Sequence, residues 1–251
     1  MDPILTSALT SFVTSVATNS SKAPMQTLDD LWYLAFGKIN HIAEKKRARN
    51  QFDLDAYKNS IAQKILTIEE DNLQEPPMSV VGPALEASKY YIEEETLREM
   101  FANIIAASMD KSKSKTVHHS FVEITKQLSP EDARNLVLFK DTDNYPIVQF
   151  IFYLPNRDGY NIWKSNVFHG NLTNIRTGEE NATSITNLSR LGLVSISYDE
   201  SYINKNKYAI YRESDLFKTL QNQPNSNATF DLKEGIVRIS PLGKTFINIC
   251  L

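Results

Sequence analysis

The apolar residues of this chain change their period at Lys140, and that change limits the folds open to it. Before Lys140 they recur three and four residues apart, the spacing that places side chains on one face of a helix. After it come β-rich runs, turn clusters and brief helical stretches. The pattern predicts a mainly α chain with a smaller α+β part: an N-terminal helical body and a C-terminal module. The chain has 251 residues, 41% of them hydrophobic and only eight of them glycine, so it can bury a core and is not broadly disordered.

The first stretch, with Ile4, Leu5, Leu9, Phe12, Val13 and Val16 on one side, predicts an amphipathic helix. Its polar face carries no Lys or Arg, unlike helices that lie on membranes, so packing on the body or on a partner is the expectation. Asn19–Pro24 reads as a linker, which closes a first region at residues 1–24. Leu28, Leu31, Trp32, Ala35 and Ile39 predict the next helix. Asp29 and Asp30 fall in its first turn, and Lys45, Lys46, Arg47 and Arg49 at its basic end. Leu54, Tyr57, Ile61, Ile65 and Ile68 predict another helix, broken by Glu75-Pro76-Pro77. Val80–Pro83 then leads into an expected helix over Ala84–Ile92.

Glu93–Met109 carries the clearest helical signal, with Leu97, Met100, Phe101, Ile104, Ile105 and Ser108 in a stripe. Small Ala102, Ala106 and Ala107 permit close helix approach. Phe121, Ile124 and Leu128 predict a further helix. Ser129-Pro130-Glu131-Asp132 is a start signal: Ser as N-cap, Pro at the first helical position, acids in the first turn. The body therefore spans residues 25–140, and the turn cluster Asp141–Asn144 opens the module of residues 141–251.

In that module Ile147–Leu154 predicts a strand, and Ile162–Arg176 gives no clear signal. Ser184–Leu191 predicts a helix closed by Gly192 at the C′ position. Leu193–Ser197 and Lys207–Tyr211 read as strands and Asp215–Leu220 as a helical turn. Ile236–Ile239 reads as a last strand, and a final helix follows Ser240-Pro241. A helix ending in Leu191-Gly-Leu-Val194, then strands, then Leu242-Gly243 at a helix start is similar to winged-helix modules. If such a module read DNA, its first helix would enter the major groove and present Ser184, Thr186, Asn187, Ser189 and Arg190. Arg190 is the only charge among them. Packing or protein contact therefore outweighs DNA reading.

The charge balance agrees. The chain carries net −3. Residues up to Lys140 hold 16 Lys/Arg against 19 Asp/Glu, and the rest hold 11 of each, so neither part attracts phosphate by charge alone. Cys250 is the only cysteine, which rules out an intrachain disulfide and fits a reducing, cytoplasmic setting. Its neighbours Ile247, Asn248 and Ile249 supply no basic group, so a buried thiol is expected. No apolar run reaches the ~20 residues of a membrane span, and the N-terminus lacks the features of a signal peptide.

Three side chains gather potential chemistry: His118, His119 and Glu123. His119 and Glu123 are four apart and can share a helix face. Zinc usually needs three or four protein ligands, and His41 and His169 lie far away in sequence. Helix-end roles for the histidines outweigh a metal or catalytic site, and no cofactor is expected. No His has an Arg five to seven residues before it, which removes the Arg-x(4–6)-His pattern of HEPN ribonucleases. No phosphate-binding glycine loop, His-Glu-x-x-His or Gly-x-Ser-x-Gly occurs.

Several blocks carry a family resemblance. They are Leu97-Arg-Glu-Met-Phe-Ala-Asn-Ile-Ile-Ala-Ala-Ser-Met109, Val117-His118 with Phe121-Val-Glu-Ile124, and Gln127-Leu-Ser-Pro-Glu-Asp-Ala133. Glu75-Pro76, Pro83–Tyr91, Asn187–Leu193 and Leu242–Phe246 add to it. Over roughly residues 25–251 the chain resembles the abortive-infection alpha family, a bacterial and phage domain of unknown function. The resemblance implies a link to defence against phage. It implies no reaction and hands over no catalytic residue. Three readings follow. The first is a non-enzymatic defence or regulatory protein working through a protein partner or self-association. The second is a DNA-binding regulator using Ser184, Asn187 and Arg190. The third is a toxic effector with an active site around His118, His119 and Glu123.

Overall fold

The computed structural model describes residues 22–37, 44–155, 158–169, 178–222 and 227–251, with the backbone alone at 22, 44–51 and 178–180. The expected N-terminal amphipathic helix and His41 lie outside the described residues. The chain is α+β with a helical body, and it falls into two compact units. One holds the residues up to Gln127 together with Asn248–Leu251, and the other holds Leu128–Ile247.

In the first unit, helix α1 (Lys22–Phe36) begins earlier than its apolar spacing predicts. Pro24 sits in the first turn, where a missing N–H costs no hydrogen bond, so the expected linker is helical from Lys22 onward. Asp29 therefore lies beyond the first turn. It faces Lys58 at 3.3 Å instead of serving the helix dipole. Burial pulls the Lys58 ammonium below its ordinary pKa, and Asp29 opposes that pull.

Helix α2 (Glu44–Leu66) takes in the basic cluster from Lys45 to Arg49, which was expected to end the preceding helix. The apolar period had no stop signal between Glu44 and Leu54, so helical propensity carried the helix back over these residues. Helix α3 (Met78–Ser88) starts directly after the Pro76-Pro77 break and holds Pro83 in its interior.

Helix α4 (Glu95–Ser108) follows its predicted bounds closely, and α2 and α3 pack against it. Leu97, Met100, Phe101, Ala102, Ile104 and Ile105 are fully buried, as the stripe predicts. Trp32, Phe36 and Tyr57 form an aromatic cluster where α1 meets α2, with ring centroids 4.4 to 6.3 Å apart. Helix α5 is the short segment Ser120–Lys126. Cys250 is buried. Its carbonyl accepts a 2.8 Å hydrogen bond from Asn103, and burial raises the thiol pKa, as an unreactive cysteine requires.

The second unit opens with helix α6 (Pro130–Val137), whose start matches the sequence signal in full. Ser129 Oγ accepts from the Asp132 N–H, and the Asp132 carboxylate accepts from the Ser129 N–H, a reciprocal capping box with Pro130 at the first position. Strands β1 (Asn144–Tyr153) and β2 (Asn161–Val167) form an antiparallel pair. Helix α7 (Gly178–Arg190), strand β3 (Val194–Ser197) and strand β4 (Thr229–Ile239) follow, and the sheet order is β2-β1-β4-β3. Helix α7 ends as predicted. Gly192 adopts φ +74°, the Gly192 N–H bonds Ser189 O, and the Leu193 N–H bonds Leu188 O.

Lys207–Tyr211 is not a strand. Lys205–Tyr208 is a 3₁₀ turn that runs into helix α8 (Ala209–Arg212), and helix α9 (Asp215–Gln221) follows. Tyr208 and Tyr211 are three residues apart and both are buried. Their hydroxyls donate to Gly235 O and Pro146 O at 2.9 and 2.8 Å. A helical turn brings both rings onto the sheet, whereas a strand would point them to opposite faces. They join Val148, Phe150, Val167, Phe217, Leu220 and Leu232 in one core. The last helix, α10, runs over Pro241–Cys250.

Candidate functional site

The three residues most suggestive of chemistry do not converge. Both histidines sit at the start of α5, one turn of backbone ahead of Glu123. His118 Nδ1 accepts from the Ser120 N–H at 3.1 Å and lies 2.7 Å from Ser120 Oγ, so this ring serves its own helix end. The His119 ring meets Ser79 Oγ on α3 at 3.1 Å. Glu123 accepts from Lys126 Nζ at 2.9 and 3.0 Å. Three side chains thus take three separate partners, and all three are exposed. Among the described residues no three of His, Cys, Asp and Glu gather to hold a metal ion.

Of the residues expected to contact nucleic acid, the structure turns two inward. Ser184 is buried on α7 and accepts from Asn135 Nδ2 at 2.9 Å. Asn187 donates to the Asp132 carboxylate at 2.9 Å. Arg190 is exposed, and its Nε and Nη2 donate to Asn187 Oδ1 at 3.1 and 2.8 Å. A side chain held this way is not in position to read a base edge without breaking its bond.

Together these residues belong to a polar seam between α6 and α7 that sequence reading missed. Asp132, Asn135, Asn181 and Ser184 are all buried. Asn135 also donates to Asn181 Oδ1, and Asn181 donates to Phe168 O, each at 3.1 Å. A single Asp132 oxygen, Oδ2, accepts both the Ser129 N–H of its own cap and Asn187 Nδ2. Every group in this chain of bonds has a partner, so the seam fixes the register of two helices whose apolar faces alone would let them slide. A signal was available: Asn135 and Asn181 are poor interior helix residues that earn a place only by side-chain bonding.

His169, far from the other histidines in sequence, is buried in this unit. Its ring is buried edge-on to Tyr211, with centroids 6.1 Å apart. Neither ring nitrogen finds a hydrogen-bond partner among the described residues. Its backbone N–H donates to the Tyr211 hydroxyl at 3.1 Å. Burial lowers the imidazole pKa because the cation would lose its hydration.

The sign of the linkage follows. The folded pKa lies below the unfolded value of about 6.5, so the unfolded chain takes up protons first as pH falls. The stabilising contribution of neutral His169 is complete above about pH 6.5 and is lost as pH drops toward the folded pKa. Chemical denaturation at a series of pH values should therefore show wild type weakening on acidification. His169→Phe should lose that part of the slope, and an unchanged slope would remove His169 as its source.

No described helix is long and apolar enough to cross a membrane. The curated proteins and the solved structures yield no match. The sequence profile of the family described as abortive infection alpha matches residues 49–250, from the second helix to the end of the last. That span takes in the α4 stripe, the Ser129 cap, the α6–α7 seam and the Gly192 turn. This chain belongs to the abortive infection alpha family.

Proposed function

We propose that this protein serves abortive infection without catalysing a reaction, through contacts with a protein partner or a second copy of itself in the cytoplasm. The observation that carries this reading is the outward display of large apolar side chains on the helical unit. Tyr33 and Leu34 on α1 are 62% and 76% exposed, and Phe52 on α2 is 73% exposed. These three lie on helices that bury Leu31, Trp32, Phe36, Tyr57 and Ile61, so the helices are apolar beyond what their own core consumes. The separate local partners of His118, His119 and Glu123 support the same reading. We read α7, β3, β4 and α10 as a winged-helix-like end used for packing. The inward bonds of Ser184 and Asn187 favour that over DNA reading.

The test is anti-phage protection combined with pull-down from infected cells. Replacing Tyr33, Leu34 and Phe52 with serine should abolish protection and the captured partner or self-association, while circular dichroism stays native. His118→Ala, His119→Ala and the double variant should keep full protection. Degradation of RNA or DNA by the purified protein, lost in either histidine variant, would overturn the non-catalytic reading.

A further inference from the structure

We propose that His169 is an acid-operated latch, whose protonation frees the chain just past β2 from α7 and α8 while the rest of the sheet stays closed. The residue occupies a joint. One peptide group, between Phe168 and His169, ties this stretch to two helices at once. Its carbonyl accepts from Asn181 Nδ2 on α7, and its N–H donates to the Tyr211 hydroxyl on α8, each at 3.1 Å. Both partners lead further inward. Asn181 accepts from Asn135 in the α6–α7 seam, and the Tyr211 hydroxyl donates to Pro146 O on β1 at 2.8 Å.

The side chain at this joint holds a proton badly. The His169 residue is 5% exposed, its ring meets Tyr211 edge-on, and neither Nδ1 nor Nε2 has a hydrogen-bond partner among the described residues. A neutral imidazole tolerates that setting. An imidazolium carries a charge and two donors, and it needs water or an acceptor for them. The groups near the joint supply neither. Tyr211 on α8 is the titratable group against the ring, and Tyr198 and Tyr208 lie close enough to act on it. Burial keeps all three phenols neutral by raising their pKa. Asn181 and Ser184 on α7 are uncharged. Burial is the only cause behind the lowered pKa of His169, so no carboxylate offsets an added proton. The charged ring gains hydration by swinging out, and its own peptide group then leaves both bonds.

The release has a boundary. Asn166 precedes the joint with φ +56°, and its side chain bonds Tyr198 and Thr186 at 2.9 Å. The β1–β4 ladder is regular along β1, whereas the β1–β2 register shifts on both sides of Phe150. The weaker pairing thus lies on the side that opens. This latch lies within the C-terminal unit and stands apart from the protein-contact reading, whose side chains are on α1 and α2.

Amide exchange followed by NMR on the full chain tests the proposal, after correction for the intrinsic effect of pH. Protection of the His169 amide should be constant above about pH 7. Below about pH 6 it should fall, approaching tenfold per pH unit, because the open form takes the proton first. Phe150 and Leu232, paired in the β1–β4 ladder, should keep their protection. His169→Gln should make protection at position 169 independent of pH, and His169→Phe gives the same readout with an apolar ring. Tyr211→Phe should lower protection at every pH and keep the slope, which separates a lost bond from a lost titration. The proposal fails if wild-type protection does not fall on acidification, or if both position-169 variants show the same fall. It also fails if Phe150 and Leu232 lose protection in step with His169, since the unit would then be opening as a whole.

Discussion

Asp132→Ala should destabilise the C-terminal unit by about 3 kcal/mol, a large share of the stability of an ordinary domain. Two losses combine. The α6 capping box loses its Asp132 half, the bond from the Ser129 N–H, at a cost of about 1 kcal/mol, while Ser129 Oγ keeps its bond from the N–H at position 132. Asn187 also loses its bond to the Asp132 carboxylate at the part-buried α6–α7 seam, and a hydrogen bond to a charged group contributes about 1.5 to 3 kcal/mol. A cycle with Asn187→Ala separates the terms. The cap loss is independent of Asn187, whereas the seam contribution should appear as a coupling of about 1 kcal/mol between the two sites. Urea unfolding of the single and double variants measures both. Strict additivity would show that the Asp132–Asn187 bond adds nothing and that the cap accounts for the whole effect.

Gly243→Ala should also destabilise this unit, by about 2 kcal/mol net, although alanine is the better helix former. Glycine in a helix costs about 1 kcal/mol relative to alanine, so propensity alone predicts a gain. The surroundings reverse the sign. A methyl group at Gly243 would overlap the carbonyl oxygen of Leu193 and stand 2.5 Å from Ile239 Cδ1. The same carbonyl accepts the Ser240 N–H at 2.9 Å, and the Ser240 hydroxyl accepts the Gly243 N–H at 2.9 Å, so the first turn of α10 is bonded down onto the end of α7. Backbone held by such bonds yields little, and overpacking of this kind costs about 1 to 3 kcal/mol or more. Thermal unfolding of Gly243→Ala should fall below wild type. A variant more stable than wild type would show that α10 can shift freely away from Leu193.

The Leu242-Gly243 pair thus has a structural cause within the family pattern. Gly235 in β4 is also required by packing, since an added Cβ would lie 2.6 Å from Ser197 O and from the ring of Tyr198. That ring crosses the sheet to place its hydroxyl 2.9 Å from Asn166 Oδ1. Neither glycine has positive φ, unlike Gly192, so each is required by what approaches it from outside its own segment.

The helical stripe of Leu97–Ser108, the Ser129 cap and the Gly192 turn were legible because each depends on residues within about four positions of one another. The period of apolar side chains and the geometry of helix ends are local physics, and they set the α+β division before any tertiary contact is known. The sequence by itself determined which segments are helix or strand in most of the chain, the burial of Cys250 and the lack of a recognisable catalytic motif. Tertiary structure alone decided where His118, His119 and Glu123 find partners and that Ser184 and Asn187 turn toward α6. It also decided that Tyr208 and Tyr211 wind into a turn whose hydroxyls bond Gly235 O and Pro146 O. Those outcomes join residues tens of positions apart: Asn187 meets Asp132 across 55 residues of chain. The free energy that selects such a pairing belongs to the packed neighbours, and no pattern within either segment encodes it.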